Sequence, residues 1–286
     1  MSEPGVDAHQ HFWSLARGDY AWLTPDLEPL YRDFGPGDLE PLMREARVGR
    51  TVVVQAAPTV GETRYLLGLA ERTPWIAGVV GWIDLASSEA PRLLDDLQRH
   101  RAFRGIRPMI QDIPDPDWML GEALTPALRE LARRSLSFDA LVHPVHLPRL
   151  LRLLERHPDL RVVVDHAAKP DIQSGAFEPW ARDLRRLAAE TGARCKLSGL
   201  VTEAAGDWSV EDLSPWVDHL LDCFGPERLM WGSDWPVVDL AGGYARWRAA
   251  AEILLAPLAL REREAVLGAN AAAFYRLAPQ PEEISP

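Results

Sequence analysis

The feature that most constrains the fold of this sequence is a series of eight short apolar segments rich in β-branched residues. Stretches with helical periodicity separate them, and strands that alternate with helices in this way are typical of a parallel sheet buried on both faces. Their starts lie 25 to 45 residues apart, which is room for one strand, one helix and two loops. The predicted strands cover residues 6–12, 51–56, 76–83, 103–110, 136–143, 161–167, 193–200 and 228–236.

The intervening helices carry start and stop signals. Over residues 215–224 five apolar side chains fall at helical spacing, Ser214 and Pro215 suit the helix start, and Gly225 with Pro226 suits its end. Eight such strand–helix units predict an α/β fold, a (β/α)8 TIM barrel. A doubly wound open sheet is the alternative, because sequence alone does not show closure. No glycine-rich phosphate loop follows a strand, which weakens a nucleotide-binding version of that sheet.

The barrel is expected to occupy residues 1–277 as a single domain. The first strand is followed by a long connection over 12–38, rich in Pro, Gly, Asp and aromatic residues, of the kind that often covers a functional site. The polar, proline-rich tail 278–286 is expected to be disordered.

Composition excludes several partners. A formal net charge of -11 without a block of basic residues argues against nucleic acid and anionic membrane surfaces. Cys195 and Cys223, the only cysteines, are far apart in sequence, which fits a reducing compartment. The sequence shows neither a signal peptide nor an apolar run long enough to span a membrane. We therefore expect a cytoplasmic protein that acts on a small molecule, and the oligomeric state stays open, a homo-oligomer included.

The stretch VDAHQHFW places His9 and His11 two residues apart in the first predicted strand. Side chains at i and i+2 point to the same face of a strand, so both imidazoles project together, with Asp7 in the same row. The pair suits chelation of a divalent metal. A hydrogen-bonded pair on a polar strand face is the alternative.

Further polar side chains stand at the carboxyl ends of the predicted strands, where a barrel of this kind has its active site. Histidines and a carboxylate at one mouth suit an ion such as Zn²⁺, which lowers the pKa of bound water while a carboxylate takes the proton. Attack on a carbonyl then needs no protein nucleophile, and the sequence has no G-x-S-x-G elbow. The side chains beyond the first strand are Arg104, Arg107, His143, His146, Asp165, His166, Lys169, Lys196, Ser198, Ser233 and Asp234.

These residues and several longer segments resemble the amidohydrolase superfamily, amidohydrolase 2 type. Within it, DAHQHFW, RGIRPMIQD, VVVDHAAKP, KLSGL and LMWGSDWPV are similar to the group that contains L-fuconolactonase, L-rhamnonolactonase and the pyrone-dicarboxylate lactonases. The resemblance runs from about residue 6 to 277 and is specific as a combination. It implies a (β/α)8 hydrolase that opens a sugar lactone.

The resemblance also implies a metal site. His9 and His11 would be metal ligands or the remnant of a metal site, and His166 would lie at the metal or hydrogen-bond the substrate carbonyl. Asp234 would be a ligand and the general base that activates water and then protonates the leaving alkoxide, although an aspartate here could instead cap a turn. The fourth strand lacks the bridging lysine or glutamate of binuclear members, so we expect at most one divalent ion, Zn²⁺ or Mn²⁺. His143 is a second-tier ligand, and metal independence, known in this group, is the alternative.

For substrate binding, the resemblance implies that Arg104, Arg107 and Lys169 contact the substrate oxygens. Arg104 and Arg107 lie three residues apart, so only one faces the interior of a regular strand, and Arg107, nearer the carboxyl end, is preferred. Trp13 and Trp82 follow the first and third strands, where an aromatic face could stack on a sugar ring, although most tryptophans are buried hydrophobes.

Lys169 and Lys196 are the only lysines among 31 basic residues, and both fall at or near the ends of adjacent strands. A compact ammonium differs from a guanidinium in geometry, so the choice of lysine can be chemical or can be chance. The role of Lys196 stays open, and Asp165 is expected to be a structural partner.

Three functions are considered. The first is a carboxylic ester hydrolase that opens a sugar-acid lactone, such as an aldonolactone, by attack of an activated water on the carbonyl. The second, from the same superfamily, is a mononuclear-metal decarboxylase of a small carboxylic acid, which would release CO₂ instead of an acid equivalent. The third is a barrel that binds a metal or sugar acid without turnover, and a candidate base beside a candidate water site argues against it.

Overall fold

The computed structural model describes residues 5–278. Eight strands hydrogen-bond in chain order, and each neighbouring pair is parallel. The last strand meets the first where Gln10 forms a parallel bridge with Trp235 and the His11 N–H donates to the Trp235 carbonyl at 2.7 Å. The predicted (β/α)8 barrel is therefore confirmed, and the open sheet is wrong. The strands are β1 Gly5–Gln10, β2 Val48–Val54, β3 Ile76–Gly81, β4 Phe103–Ile106, β5 Ser137–Ala140, β6 Arg161–Val164, β7 Arg194–Leu197 and β8 Leu229–Trp231.

Helices fill the connections and pack on the outside of the strands. Helix α7 begins at Val210, earlier than predicted, because Ser209 and Asp212 form a capping box that satisfies the first amide groups. The helices are α1 Pro36–Glu45, α2 Val60–Arg72, α3 Ala90–Leu97, α4 Thr125–Arg133, α5 Leu147–Arg156, α6 Trp180–Glu190, α7 Val210–Phe224, α8 Gly243–Leu254, α9 Leu260–Glu264 and α10 Asn270–Phe274, with a π-helical turn at Ala265–Ala269. Short 3-10 helices lie at Leu15–Arg17, Ile110–Asp112, Trp118–Leu120, Glu122–Leu124, Pro144–His146, Asp165–Ala168, Pro226–Arg228 and Val237–Ala241.

The strands end earlier than predicted on their carboxyl side. Strand β4 stops at Ile106, β6 at Val164 and β8 at Trp231. After β6 the chain turns through residues 166–169, which all have positive φ, an uncommon run for non-glycine residues. The polar side chains expected at strand ends therefore lie on the loops that follow the strands.

The barrel interior is apolar at the amino ends of the strands. Valines and other apolar side chains from β1, β2, β3, β6 and β8 pack there against Ala271, Phe274 and Tyr275 of the C-terminal segment. This segment covers the amino end, since Asn270 donates to the carbonyl oxygen of Leu229, the first residue of β8, at 2.7 Å. The opening of the barrel therefore lies at the carboxyl ends of the strands.

The long connection after β1 runs from His11 to Gly35 and is fixed to the barrel. Trp13 and Phe34 exchange backbone hydrogen bonds of 3.1 and 3.0 Å, and the Trp22 indole donates to the carbonyl oxygen of Ala56 at 2.8 Å. None of the helices described within 5–278 is long and apolar enough to cross a membrane. Residues 279–286 of the predicted tail lie outside the described residues.

Candidate metal and substrate site

Three buried side chains converge at the carboxyl end of the barrel. His9 and His11, on and just after β1, place their Nε2 atoms 3.2 Å apart. Asp234 Oδ1, from the loop after β8, lies 3.3 Å from His11 Nε2 and 3.7 Å from His9 Nε2. Among residues 5–278, these three side chains form the group that could hold a metal ion.

The distances fit a single tetrahedral ion. Zinc bonds to nitrogen and carboxylate oxygen of about 2.0 to 2.2 Å place neighbouring ligand atoms about 3.4 Å apart. His11 Nδ1 lies 2.8 Å from the Val54 carbonyl oxygen, which can only accept, so Nδ1 carries the proton and Nε2 presents a lone pair to the site. Burial lowers the pKa of both His9 and His11, which keeps the imidazoles neutral as metal ligands must be.

His9 has the second partner that a metal-bound histidine needs. Its Nδ1 is 3.5 Å from Asp165 Oδ1, an oxygen that also forms an ion pair of 2.9 Å with Lys196 Nζ. A buried carboxylate beside the far ring nitrogen is the arrangement that orients a ligating histidine. His9, His11 and Asp234 therefore fit one divalent ion, and Asp165, expected to be a structural partner, lies beside His9.

Backbone contacts between β1 and the loop after β8 position Asp234. Its N–H donates to the His9 carbonyl at 2.8 Å, and Asp7 Oδ1 accepts from the N–H groups of Ser233 and His9 at 2.9 and 3.2 Å. Asp234 adopts a left-handed conformation with φ 59°. Burial opposes its ionisation, but His166 and the β1 histidine pair hold the pKa of the carboxyl below its usual range. The group is thus a carboxylate at neutral pH.

His166 faces the same carboxylate, with Nε2 3.7 Å from Asp234 Oδ1. Ser198 Oγ lies 2.9 Å from His166 Nδ1 and fixes the ring. Burial lowers the pKa of His166 to about 4, so the ring is neutral at neutral pH. Gly199, with φ +66°, leaves space for this ring, since a Cβ there would lie 2.6 Å from it.

Arg107 belongs to the site. It is 3 % exposed, and its guanidinium lies 3.4 Å from His9 Nε2 and 3.8 Å from Asp165 Oδ2. It donates to the carbonyl oxygen of Gln55 and, at 2.9 Å, to Gln55 Oε1. The prediction that one of the two arginines near β4 faces the interior is confirmed for Arg107.

Two of the predicted substrate contacts need correction. Arg104 points away from the site, because its guanidinium donates to the carbonyl oxygens of Arg101 and Phe103. Burial lowers its pKa, and so does the charge of the nearby Arg276 in the C-terminal segment. Its position three residues before Arg107 places it on the opposite side of the strand. Trp13 is fully buried, with its ring against Phe34, so no face is free for a sugar.

Two further predicted residues, Trp82 and His143, lie on loops that follow the strands. Trp82 is half-buried just beyond β3. His143 is half-buried too, is not part of the candidate metal-binding group, and stacks on His146 with centroids 6.3 Å apart. Burial and the charge of Lys169 lower the pKa of His143.

Sequence reasoning missed Glu203, in the loop after β7. Its carboxylate lies 4.0 Å from Lys169 Nζ, and burial raises its pKa, partly offset by Lys169. It also missed the contacts of Lys196. This fully buried lysine lies 2.6 Å from Asp139 and 2.9 Å from Asp165. The scarcity of lysine in the sequence is a signal that singled it out.

The fold and the site together define a (β/α)8 barrel with a histidine–aspartate centre at its carboxyl end, and comparison with known proteins agrees. The sequence pattern of the amidohydrolase family matches residues 6–277. An L-fucono-1,5-lactonase from Burkholderia ambifaria is 50% identical over 279 residues, covering 95% of each chain. Another L-fucono-1,5-lactonase, from Burkholderia multivorans, is 37% identical over 294 residues and 97% of each chain.

A solved structure supports the same assignment. The crystal structure of an amidohydrolase from Burkholderia multivorans with bound zinc has a TM-score of 0.90 and 36% identity, and the match covers 96% of this chain and 100% of that one. The chain belongs to the amidohydrolase family.

Proposed function

We propose that this protein hydrolyses a sugar-acid lactone, of the L-fuconolactone type, by attack of an activated water on the lactone carbonyl. The observation that carries the proposal is the convergence of His9, His11 and Asp234 within 3.2 to 3.7 Å at the carboxyl end of a closed barrel. The relatives named L-fucono-1,5-lactonase support the choice of a sugar lactone. The cytoplasm is the proposed location.

The three side chains would hold one divalent ion, Zn²⁺ or Mn²⁺. When bound, such an ion lowers the pKa of a water molecule and polarises a carbonyl. The zinc in the related crystal structure supports Zn²⁺. His166 is a fourth candidate ligand, and His143 stays a second-tier candidate.

Asp234 is proposed as the general base. Its carboxylate takes a proton from water as the water oxygen bonds to the carbonyl carbon, and it returns that proton to the ring oxygen as the ring C–O bond breaks. The products balance as one hydroxy acid from one lactone and one water. A neutral His166, held by Ser198, can hydrogen-bond the lactone carbonyl.

Cationic side chains are proposed to bind the substrate oxygens. Arg107, held by Gln55 within the site, can stabilise the negative charge that develops on the carbonyl oxygen. Lys169, held in the left-handed conformation three residues after His166, and Trp82 would contact the sugar hydroxyls and ring at the opening.

A proton-release assay at neutral pH over a panel of aldonolactones tests the proposal, with protein treated with a chelator and then reloaded. We expect acid release from an L-fuconolactone, lost on chelation and restored by Zn²⁺ or Mn²⁺. Acid release that is unaffected by chelation would support the lactonase activity and show that it needs no metal. Failure to open any lactone would refute the function. The decarboxylase alternative rests on neighbours of 14% and 15% identity, which share the fold only.

A further inference from the structure

A continuous row of buried polar side chains joins the C-terminal segment to the candidate metal site. The Tyr275 hydroxyl donates to Asp139 Oδ2 at 2.5 Å, and Lys196 Nζ donates to the same oxygen at 2.6 Å. Lys196 Nζ also lies 2.9 Å from Asp165 Oδ1 and 3.1 Å from His9 Nδ1. All of these side chains are at most 1 % exposed. The row crosses the barrel interior from the covered amino end to the metal-binding histidine.

The two carboxylates in this row have different numbers of hydrogen-bond donors around them. Lys196 is one ammonium between two buried carboxylates, and buried charges persist only when they are paired. Asp139 also accepts from Tyr275 and, at 2.6 Å, from the Ser137 hydroxyl. Among the described residues no hydroxyl group donates to Asp165, which pairs with Lys196 and lies beside His9. Because two hydroxyl groups stabilise Asp139, Lys196 can remain shared with Asp165.

We propose that Lys196 is a positioning residue for His9, and that Tyr275 holds Lys196 in place through Asp139. A neutral His9 whose Nε2 faces the candidate metal site carries its proton on Nδ1, which lies 3.5 Å from Asp165 Oδ1, and the Lys196 ammonium, 2.9 Å from the same oxygen, holds that carboxylate in place. These two neighbours fix the plane of the ring, and the ring plane aims Nε2 at His11 and Asp234. A residue of the C-terminal segment, which cannot reach the substrate, thus sets the geometry of the site. The inference rests on the proposed function only in that His9 serves the reaction.

The test uses the full-length Tyr275→Phe and Lys196→Met variants. The first removes one hydroxyl and keeps the ring, and the second removes the ammonium. Two quantities are measured: the ¹⁵N signals of the His9 imidazole in chelated protein at neutral pH, and the Zn²⁺ dissociation constant by chelator competition. We expect the His9 signals to shift in both variants. The dissociation constant should rise about 10- to 100-fold for Lys196→Met and up to about tenfold for Tyr275→Phe, as for other partners of a metal-binding histidine.

Val163→Ala is the matched control, because Val163 is buried in the same barrel interior without a polar contact in the row. It should lose stability and keep the His9 signals and Zn²⁺ affinity. If Lys196→Met does not fold, Tyr275→Phe decides the result. Unchanged His9 signals in a folded Tyr275→Phe variant would overturn the proposal. If the wild-type protein binds no Zn²⁺, the metal part of the proposed function fails, and the His9 signals alone decide the positioning role.

Discussion

The two ends of this barrel differ in the polarity of their buried side chains and in their backbone conformation. At the amino end, Val6, Val52 and Val163 pack against Phe274 in an apolar interior. At the carboxyl end several buried side chains are ionisable, and residues 166–169 together with Asp234 hold left-handed conformations that cost free energy. We infer that apolar packing at the amino end stabilises the fold and offsets the free-energy cost of the left-handed conformations at the carboxyl end.

The largest effect should follow removal of the proposed base. Asp234→Asn keeps the size and the backbone contacts of residue 234 but cannot take a proton, so we expect kcat to fall about 10²- to 10⁴-fold. The denaturation midpoint should stay close to that of the wild type. Steady-state kinetics on the best lactone, with Asp239→Asn as the nearby control, measures both. Full activity in Asp234→Asn would remove this residue from the mechanism.

The amino end should show the reverse behaviour. Phe274→Ala removes a buried ring from the interior cluster without touching the site, so the free energy of unfolding should fall by about 3 to 5 kcal/mol. Denaturant unfolding measures the loss, and kcat measured well below the new midpoint should be retained. A large loss of kcat in a folded Phe274→Ala variant with unchanged His9 ¹⁵N signals would contradict this expectation, whereas a loss with shifted signals would act through Tyr275, whose ring centroid lies 4.9 Å from that of Phe274.

A smaller, pH-dependent effect is expected from Glu62, just beyond β2. This buried carboxyl accepts from the N–H groups of Ala56 and Ala57, yet burial raises its pKa from 4.5 to about 7. Since the folded protein binds this proton more tightly than the unfolded chain, the contribution of Glu62 to stability falls as the pH rises from about 4.5 to 7. The shift corresponds to about 3 kcal/mol.

Unfolding free energies of wild type and Glu62→Gln, measured from pH 5 to 8, test this assignment. The difference between them should change steadily up to about pH 7 and become level above it. A pH-independent difference would show that Glu62 has an ordinary pKa in the folded protein.

The sequence predicted the apolar framework and the residues that converge, but not how each loop directs its side chain. His9 and His11 share a face because strand periodicity is 2, so β1 alone reveals their pairing. Trp13 also follows β1, but the conformation of the loop directs its side chain into the core. The position of a residue after a strand does not predict that direction. Lys196 and Ser198 could have been placed inward together by the same periodicity.

Other features depend on contacts that no local pattern contains. Asp139 and Tyr275 are 136 residues apart, and only the closed barrel brings them together. Arg104 and Arg107 show the opposite case, because their spacing of three separates them onto different sides of one strand. Features that follow from the periodicity of a strand or helix could be predicted from the sequence. Contacts between distant residues, and side-chain directions set by the backbone conformation of a loop, could not.

The smallest expected effect comes from two glycine variants that distinguish the cost of a left-handed backbone from a steric contact at the site. Gly199 and Gly18 have φ of +66° and +70°, but a Cβ on Gly199 would lie 2.6 Å from the His166 ring, whereas one on Gly18 would have no atom within 4 Å. Alanine at either position should lower the free energy of unfolding by about 1 to 2 kcal/mol through the left-handed backbone alone. Gly199→Ala should also displace His166 and lower kcat, while Gly18→Ala should not. Equal kinetics in the two variants would mean that the position of the His166 ring does not matter to the reaction, and the hydrogen bond to Ser198 would then serve stability alone.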